Sequence, residues 1–455
     1  MAPVTTSTED PTTVPATEPA PAPDPAPTAD PAPTAGSSLA ADPALAAILG
    51  AEAERRRTQL DLLAGENISP PAVRALLGSV FADKYAEGYP GRRHHTGCAQ
   101  ADAVERLAVD RAKALFGADH ANVQPTSGTA AVLAAYAALL RPGDAVLAMS
   151  LPHGGHLTHG SRANFSGRWF DITGYGVRAD DGRIDLDQVR RLARAVRPKA
   201  IVAGAISYPR QLDWPAFREI ADEVGAYLVA DVSQTIGLVA AGIGGSPVPY
   251  ADLVCGVTHK LLGGPHGGLL LCTAELAERL DRAVSPFTQG GPAVNVLAAK
   301  ALALGHASTP EFRAYAQEAV ANAQVLAEAL AAEGLCPLTG GTDTHLVTAD
   351  ARPSGLTGHE VEHRCEAAGL LLGHCAVPYE EAPPALASGV RAGTASVTTQ
   401  GLGPAEMRTV AVLVGRALRA DGSTAAGAAE RSAVGREVRE LLERFPAYPE
   451  QGGPF

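Results

Sequence analysis

Two residues in this 455-residue chain have the types and spacing to do covalent chemistry, Asp231 and Lys260. Asp231 closes the short apolar run Ala-Tyr-Leu-Val-Ala (226–230). A second apolar run, Ala251 to Val257, leads to Thr258-His259-Lys260 and then to the glycine-rich stretch 263–268. Both runs read as strands, so the carboxylate and the amine stand at neighbouring strand ends. That pairing fits pyridoxal 5'-phosphate: a lysine amine condenses with its aldehyde, and a carboxylate keeps its pyridine nitrogen protonated so that the ring draws electrons. Taken alone, the two read more readily as a surface lysine and a helix cap, as for any short motif.

Other candidates surround this pair. Thr126-Ser127-Gly128-Thr129 precedes a helical run from Ala130 to Leu140. Free N–H groups and the helix dipole would hold a phosphate there, and an ordinary N-cap is the other reading. His153, His156 and His159 fall in a glycine-rich loop after the strand Asp144–Met149. They could be metal ligands, but without a carboxylate in the loop a histidine packed flat on an aromatic cofactor fits as well, and no metal site is assigned. Arg391 sits between glycines in Ser388-Gly389-Val390-Arg391-Ala392-Gly393-Thr394. It could grip a carboxylate through two parallel hydrogen bonds or form a surface ion pair. The polar and aromatic loop 84–93 is the kind of segment that carries binding groups.

The elements that must position these residues alternate. Strands at 200–204, 226–230 and 251–257 are separated by helical patterns such as Trp214–Val224, which implies a parallel α/β sheet with ligands at its carboxyl edge. A long helical stretch from about Ala293 to Glu333 leads to a smaller mixed lobe with strands at 345–348 and 370–372, and a helix runs from about 428. The expected organisation is a Pro/Ala/Thr-rich leader (1–44), a helical arm (45–75), a large cofactor-binding domain (76–310) and a smaller C-terminal α/β domain (311–455). The leader has too little to bury to fold and should be disordered.

The bulk composition narrows the function. A net charge of −12 gives no basic footprint for nucleic acid or anionic membrane. No apolar run reaches the ~18 residues of a membrane span. Six scattered cysteines without paired spacing read as reduced thiols, which places the protein in the cytoplasm.

The strings KYAEGYPGRR, VQPTSGT, PHGGHLTHGS, NFSG, ISYPR, REIADEVGAYLVAD, GLVAAG, SPVPYAD, THK, QGGP, GGTDTHLV and SGVRAGT, in this order, closely resemble the serine hydroxymethyltransferase family over about residues 45–450. The resemblance implies a fold-type I enzyme dependent on pyridoxal 5'-phosphate, with a mostly parallel seven-stranded sheet, and a homodimer or tetramer with shared active sites. It implies Lys260 as the Schiff-base lysine, Asp231 as the pyridinium partner, His153 as the histidine on the ring, and Ser127, Gly128 and Thr129 as phosphate ligands. Gly290 and Gly291 resemble the phosphate loop given by a neighbouring subunit. Arg391 resembles the carboxylate-binding arginine, and Tyr85 and Glu87 the tyrosine and acid–base glutamate that cross the interface.

The chain also departs from the family. Asp-Met-Ala-His becomes Asp231-Val232-Ser233-Gln234, where Gln234 can still donate a hydrogen bond to the cofactor's phenolic oxygen. Arg-Tyr-Tyr-Gly-Gly becomes Arg93-His94-His95-Thr96-Gly97, and Asn-Lys-Asn-Ala-Ile-Pro becomes Gly373-His374-Cys375-Ala376-Val377-Pro378. Gly65 stands for a serine, and Gly263 and His266 stand for two arginines of the lysine loop. Cofactor positions are kept and folate positions are changed. The expected activity is retro-aldol and aldol chemistry on L-threonine or L-serine through a stabilised glycine carbanion, as a folate-independent threonine aldolase or transaldolase making β-hydroxy-α-amino acids in secondary metabolism. Tetrahydrofolate-dependent serine–glycine hydroxymethyl transfer and a catalytically silent cofactor-binding protein are the alternatives.

Overall fold

A computed structural model describes residues 41–380 and 387–449. The leader expected at 1–44 lies, through residue 40, outside the described residues. From Pro43 a helix, α1 (Pro43–Thr58), opens the described chain. The described residues from 53 to 449 form one compact unit.

The large sheet has seven strands: β1 (His120–Asn122), β2 (Ala145–Met149), β3 (Asp171–Tyr175), β4 (Ala200–Gly204), β5 (Tyr227–Asp231), β6 (Leu253–Val257) and β7 (Gly268–Cys272). Their order is β1-β7-β6-β5-β4-β2-β3. Five strands are mutually parallel, and β7 runs antiparallel to both β6 and β1. The register sets Gly204 opposite Asp231, and Asp231 opposite Cys255. Glycine is needed at 204, because a Cβ there would stand 2.8 Å from the Asp231 Cβ.

Burial on both faces explains the near-continuous apolar strands. Val146, Ala148, Val202 and Val229 point into one core with α2 (Gly128–Leu139). Leu147, Met149, Ile201 and Leu228 point into the opposite core with α3 (Leu186–Val196), α4 (Trp214–Val224) and α5 (Val294–Ala307). Side chains alternate between the two faces, as a strand's period of two requires.

A second core gathers around a four-stranded sheet of β8 (Cys336–Pro337), β9 (Leu346–Asp350), β10 (Gly373–Cys375) and β11 (Gly389–Gly393), in the order β8-β9-β11-β10. It packs against α6 (Pro310–Ala332), α7 (Gly358–Glu366), α8 (Pro404–Arg419) and α9 (Ala425–Arg444).

Three local expectations change. The helical stretch 293–333 is two helices, α5 and α6. Thr309 caps the second by accepting the Phe312 N–H at 3.3 Å, and Pro310 follows at its first position. The glycine-rich stretch after Lys260 ends in the strand β7, whose run Leu269-Leu270-Leu271 was hidden behind its glycines. The strand β3 and the helix α3 were not read from the sequence.

Candidate active site

The carboxyl ends of β4, β5 and β6 meet the N-terminus of α2 around a cavity of about 250 Å³. Lys260, Asp231, Gln234, Ser127, Gly128 and Thr129 line it, so the structure brings these six expected residues together. Asp231 is the last residue of β5, and Lys260 follows β6 by three residues. The Lys260 backbone is pinned by Asn67, whose Nδ2 donates to the Lys260 carbonyl at 3.0 Å. Thr258 staples the loop beyond by donating to the Pro265 carbonyl at 2.6 Å.

At the helix end, Ser127 Oγ accepts the Ala130 N–H at 3.1 Å. Ser127 is therefore the N-cap, and Ser127, Gly128 and Thr129 at this end of α2 line the cavity. A Cβ on residue 128 would stand 2.7 Å from Val257 Cγ1, so only glycine lets this end approach β6.

Asp231 is buried, with Oδ2 3.0 Å from His159 Nε2 and Oδ1 accepting the Ser233 N–H at 3.0 Å. Burial alone would raise this carboxyl, but the hydrogen bonds from His159 and Ser233 outweigh it and hold it well below the usual carboxylate range. His159 Nδ1 accepts the His156 N–H at 3.2 Å, which leaves the ring proton on Nε2, facing Asp231. The carboxylate missing from the histidine loop is thus delivered by β5.

Desolvation lowers the Lys260 amine to about 8, with Asp231 opposing and Arg391 adding to the shift. The amide orientation that satisfies Gln234 has its oxygen accepting from Lys260 Nζ at 3.0 Å and its nitrogen donating to the Ala64 carbonyl at 3.2 Å.

Of the three loop histidines, His156 lines this cavity and His153 does not. This corrects the expectation that His153 lies on the cofactor ring. His153 instead lines a separate cavity of about 170 Å³, where Nδ1 accepts the Val177 N–H at 3.1 Å and the ring meets Tyr379 edge-on at 4.8 Å. Burial lowers His156 to about 4, so it is a neutral imidazole at physiological pH.

Arg391, on β11, donates from Nη1 to the Ile206 carbonyl at 3.0 Å, and Ile206 is itself a cavity residue. Among the described residues its buried Nε has no partner. It is near enough for its charge to depress both Lys260 and His156.

Tyr85, Glu87, Gly290 and Gly291 do not line the Lys260 cavity. They form an outward patch of their own. A Cβ at Gly291 would stand 3.4 Å from the Tyr85 ring, and one at Gly290 3.5 Å from Glu87 Oε1. His95 Nε2 is 3.6 Å from Glu87 Oε2 and its ring meets Tyr85 at 4.9 Å. The loop 84–93 that carries Tyr85 and Glu87 is held by Arg93, which pairs with Asp102 at 2.8 Å and Glu105 at 2.5 Å on the helix Ala99–Phe116. Arg93 also donates to the Ala86 and Gly88 carbonyls.

Several residues that matter here were missed in the sequence. His259 lines the cavity, stacked on His266 at 4.1 Å, and burial lowers it to about 3. His345 is fully buried and lowered to about 3, first by burial and then by Lys260 and Arg391. Lys300 is buried and donates to the carbonyls of Val123 (2.6 Å), Pro125 (2.9 Å) and Gly268 (2.8 Å), just behind the Ser127 turn. The glycine-rich stretch after Lys260 signalled only His259 and His266, and nothing in the run Val294–Ala307 marked Lys300.

An aldehyde-bearing aromatic phosphate fits this donor set. The cavity offers a depressed amine, an ionised carboxylate, a neutral imidazole and a glycine-lined helix end within one enclosure. A family model described as serine hydroxymethyltransferase matches residues 39–414.

Proposed function

Because this chain belongs to the serine hydroxymethyltransferase family of fold-type I, pyridoxal phosphate-dependent enzymes, we propose that it cleaves L-threonine, or L-serine, and transfers the glycyl unit to an aldehyde without folate. When bound, pyridoxal phosphate supplies an electron sink for the bond cleaved at the amino acid's Cα. Lys260 would supply the amine that holds the cofactor, and its lowered pKa gives it a larger neutral, nucleophilic fraction near physiological pH than an ordinary lysine has. Asp231, kept ionised by His159, holds the proton of the pyridine nitrogen. Ser127, Gly128 and Thr129 present N–H and hydroxyl donors to the phosphate. Arg391 receives the substrate carboxylate through its unpartnered Nε face.

The outward patch of Tyr85, Glu87, His95, Gly290 and Gly291 supports a homodimer, in which one copy's patch completes the other copy's cavity. Tyr85 and Phe287 are large side chains left 58% and 67% exposed, as an interface would require. In that assembly Glu87 moves the hydroxyl proton of the β-hydroxy amino acid, and His95 relays it. Among the described residues no helix is long and apolar enough to cross a membrane. Six unpaired cysteines support a cytoplasmic location.

The observation that carries the folate-independent reading is on β10. Where the family resemblance expects asparagines, this chain has Gly373 and Cys375. Burial pushes the Cys375 thiol up to about 12, so it stays neutral and lacks the paired donors and acceptors of an amide. Retention of Tyr85 and Glu87 favours the second reading, tetrahydrofolate-dependent hydroxymethyl transfer.

The test is turnover of L-threonine by the holoenzyme, with and without tetrahydrofolate, and then with an aromatic aldehyde added. Acetaldehyde release indifferent to folate, with a new β-hydroxy-α-amino acid formed from the added aldehyde, is the expected result. Serine turnover that requires tetrahydrofolate would overturn it.

A further inference from the structure

Away from the cavity, the smaller core carries a cluster of ligand-type side chains. His359 and Glu362 stand one turn apart on α7, and His374 comes from the neighbouring edge strand β10. One nitrogen from each histidine and one Glu362 oxygen all lie within 4.8 Å of one another. Glu362 Oε2 is the shared point, 2.5 Å from His374 Nδ1 and 3.7 Å from His359 Nδ1. The two imidazole centroids are 5.4 Å apart.

The backbone fixes this convergence. Thr357 and Glu360 form a reciprocal cap that starts α7 at Gly358 and so sets the phase of His359 and Glu362. The pairing of Gly373 with Arg391, and of His374 with Val390, places His374 on the outer strand. Its partner Glu362 is twelve residues away in sequence, which is why spacing alone did not expose the set.

We propose that His359, Glu362 and His374 form a binding site for a divalent transition metal, best suited to Zn²⁺. Two imidazoles and one carboxylate make a three-ligand set that leaves one tetrahedral position for water. Bond lengths of about 2.0–2.2 Å place tetrahedral ligand atoms roughly 3.3–3.6 Å apart. The cluster reaches that spacing by side-chain rotation alone, since all three side chains are 29–50% exposed. Glu362 offsets one of the two cation charges, and both histidines ligate as neutral rings. A bound ion ties α7 to β10, the strand hydrogen-bonded to the one that carries Arg391. The site is independent of the reaction proposed above.

The experiment uses the full-length holoenzyme, stripped with a chelator and titrated with Zn²⁺ against a chromophoric competitor. One saturable equivalent is expected, lost in His359→Ala and in His374→Ala and weakened in Glu362→Gln. Cofactor absorbance is expected to stay unchanged in all three, which shows that the variants fold. A wild-type protein without a saturable step would overturn the proposal. So would a step of equal stoichiometry and affinity in both histidine variants, which would place the metal elsewhere, for example on the exposed Cys336.

Discussion

His159 Nε2 lies 3.0 Å from Asp231 Oδ2, and both groups are buried at the carboxyl edge of the sheet. The contact joins a loop histidine to a carboxylate 72 residues away, and it fixes both the charge of Asp231 and the tautomer of His159. A buried carboxylate without such a donor would tend to take up a proton.

Replacing His159 with Phe removes that donor and leaves Asp231 Oδ2 buried without a partner, a loss of about 1–3 kcal/mol. The sign of the pH dependence follows from the depressed native pKa of Asp231. Its stabilisation is complete above the unfolded value of ~3.9 and is lost as pH falls from there toward the native value. Urea unfolding of wild type and His159→Phe should therefore differ most above about pH 4, with the gap narrowing on acidification. A gap that is constant with pH would show that Asp231 is not the group His159 serves.

Gln234 touches Lys260 Nζ at 3.0 Å, so its charge state reports directly on the amine. Gln234→Glu sets a carboxylate there, which favours the ammonium and raises the Lys260 pKa from about 8. Uptake of pyridoxal phosphate by the apoprotein, trapped by borohydride, should rise with pH to a plateau above about 8 in wild type. The variant should reach its plateau at higher pH, and Lys260→Ala should trap nothing. Superimposable wild-type and Gln234→Glu profiles would refute the assignment.

Lys300 is a buried amine that burial lowers to about 7; among the described residues it has no acidic partner in contact, and three carbonyls take that place. Two of them, on Val123 and Pro125, precede the Ser127 turn by a few residues. Lys300→Met keeps the volume but leaves three carbonyls unpaired, which should cost about 3 kcal/mol or more. Because the affected backbone leads into the phosphate-binding turn, cofactor affinity should fall as well. Chemical denaturation and an equilibrium cofactor titration measure the two effects, and a variant as stable as wild type would show that water replaces the amine.

How far the sequence revealed this arrangement depends on the kind of signal. Asp231, Lys260 and the Ser127 turn were legible because each ends or begins a regular element, and apolar runs locate strand ends well. The choice among His153, His156 and His159 was not legible, since they share one residue type and even spacing. It is made by the backbone: Gly154 has φ +108°, and a Cβ on residue 155 would stand 2.0 Å from the Met149 carbonyl oxygen. That folded-back turn points His156 into the cavity and His153 into another. The His359, Glu362 and His374 set was hidden for a related reason, as it forms only where an edge strand docks on a helix. The division of α5 from α6 could have been read from Thr309-Pro310, a cap followed by a first-turn proline.

Lys260 and Glu87 lie in different places on one chain, the first in the cavity and the second on the outward patch. If each complete site takes its cavity from one copy and its patch from another, damage to the two parts can be separated. Lys260→Ala and Glu87→Gln homodimers should each be inactive. Unfolding and refolding an equal mixture should then produce heterodimers in which one site carries both lesions and the other carries neither. With random pairing about half of the dimers are mixed, so about a quarter of the wild-type activity should return. A mixture that stays inactive while size-exclusion and mass analysis show mixed dimers would mean that Glu87 serves the Lys260 of its own chain, and the shared-site reading would fall.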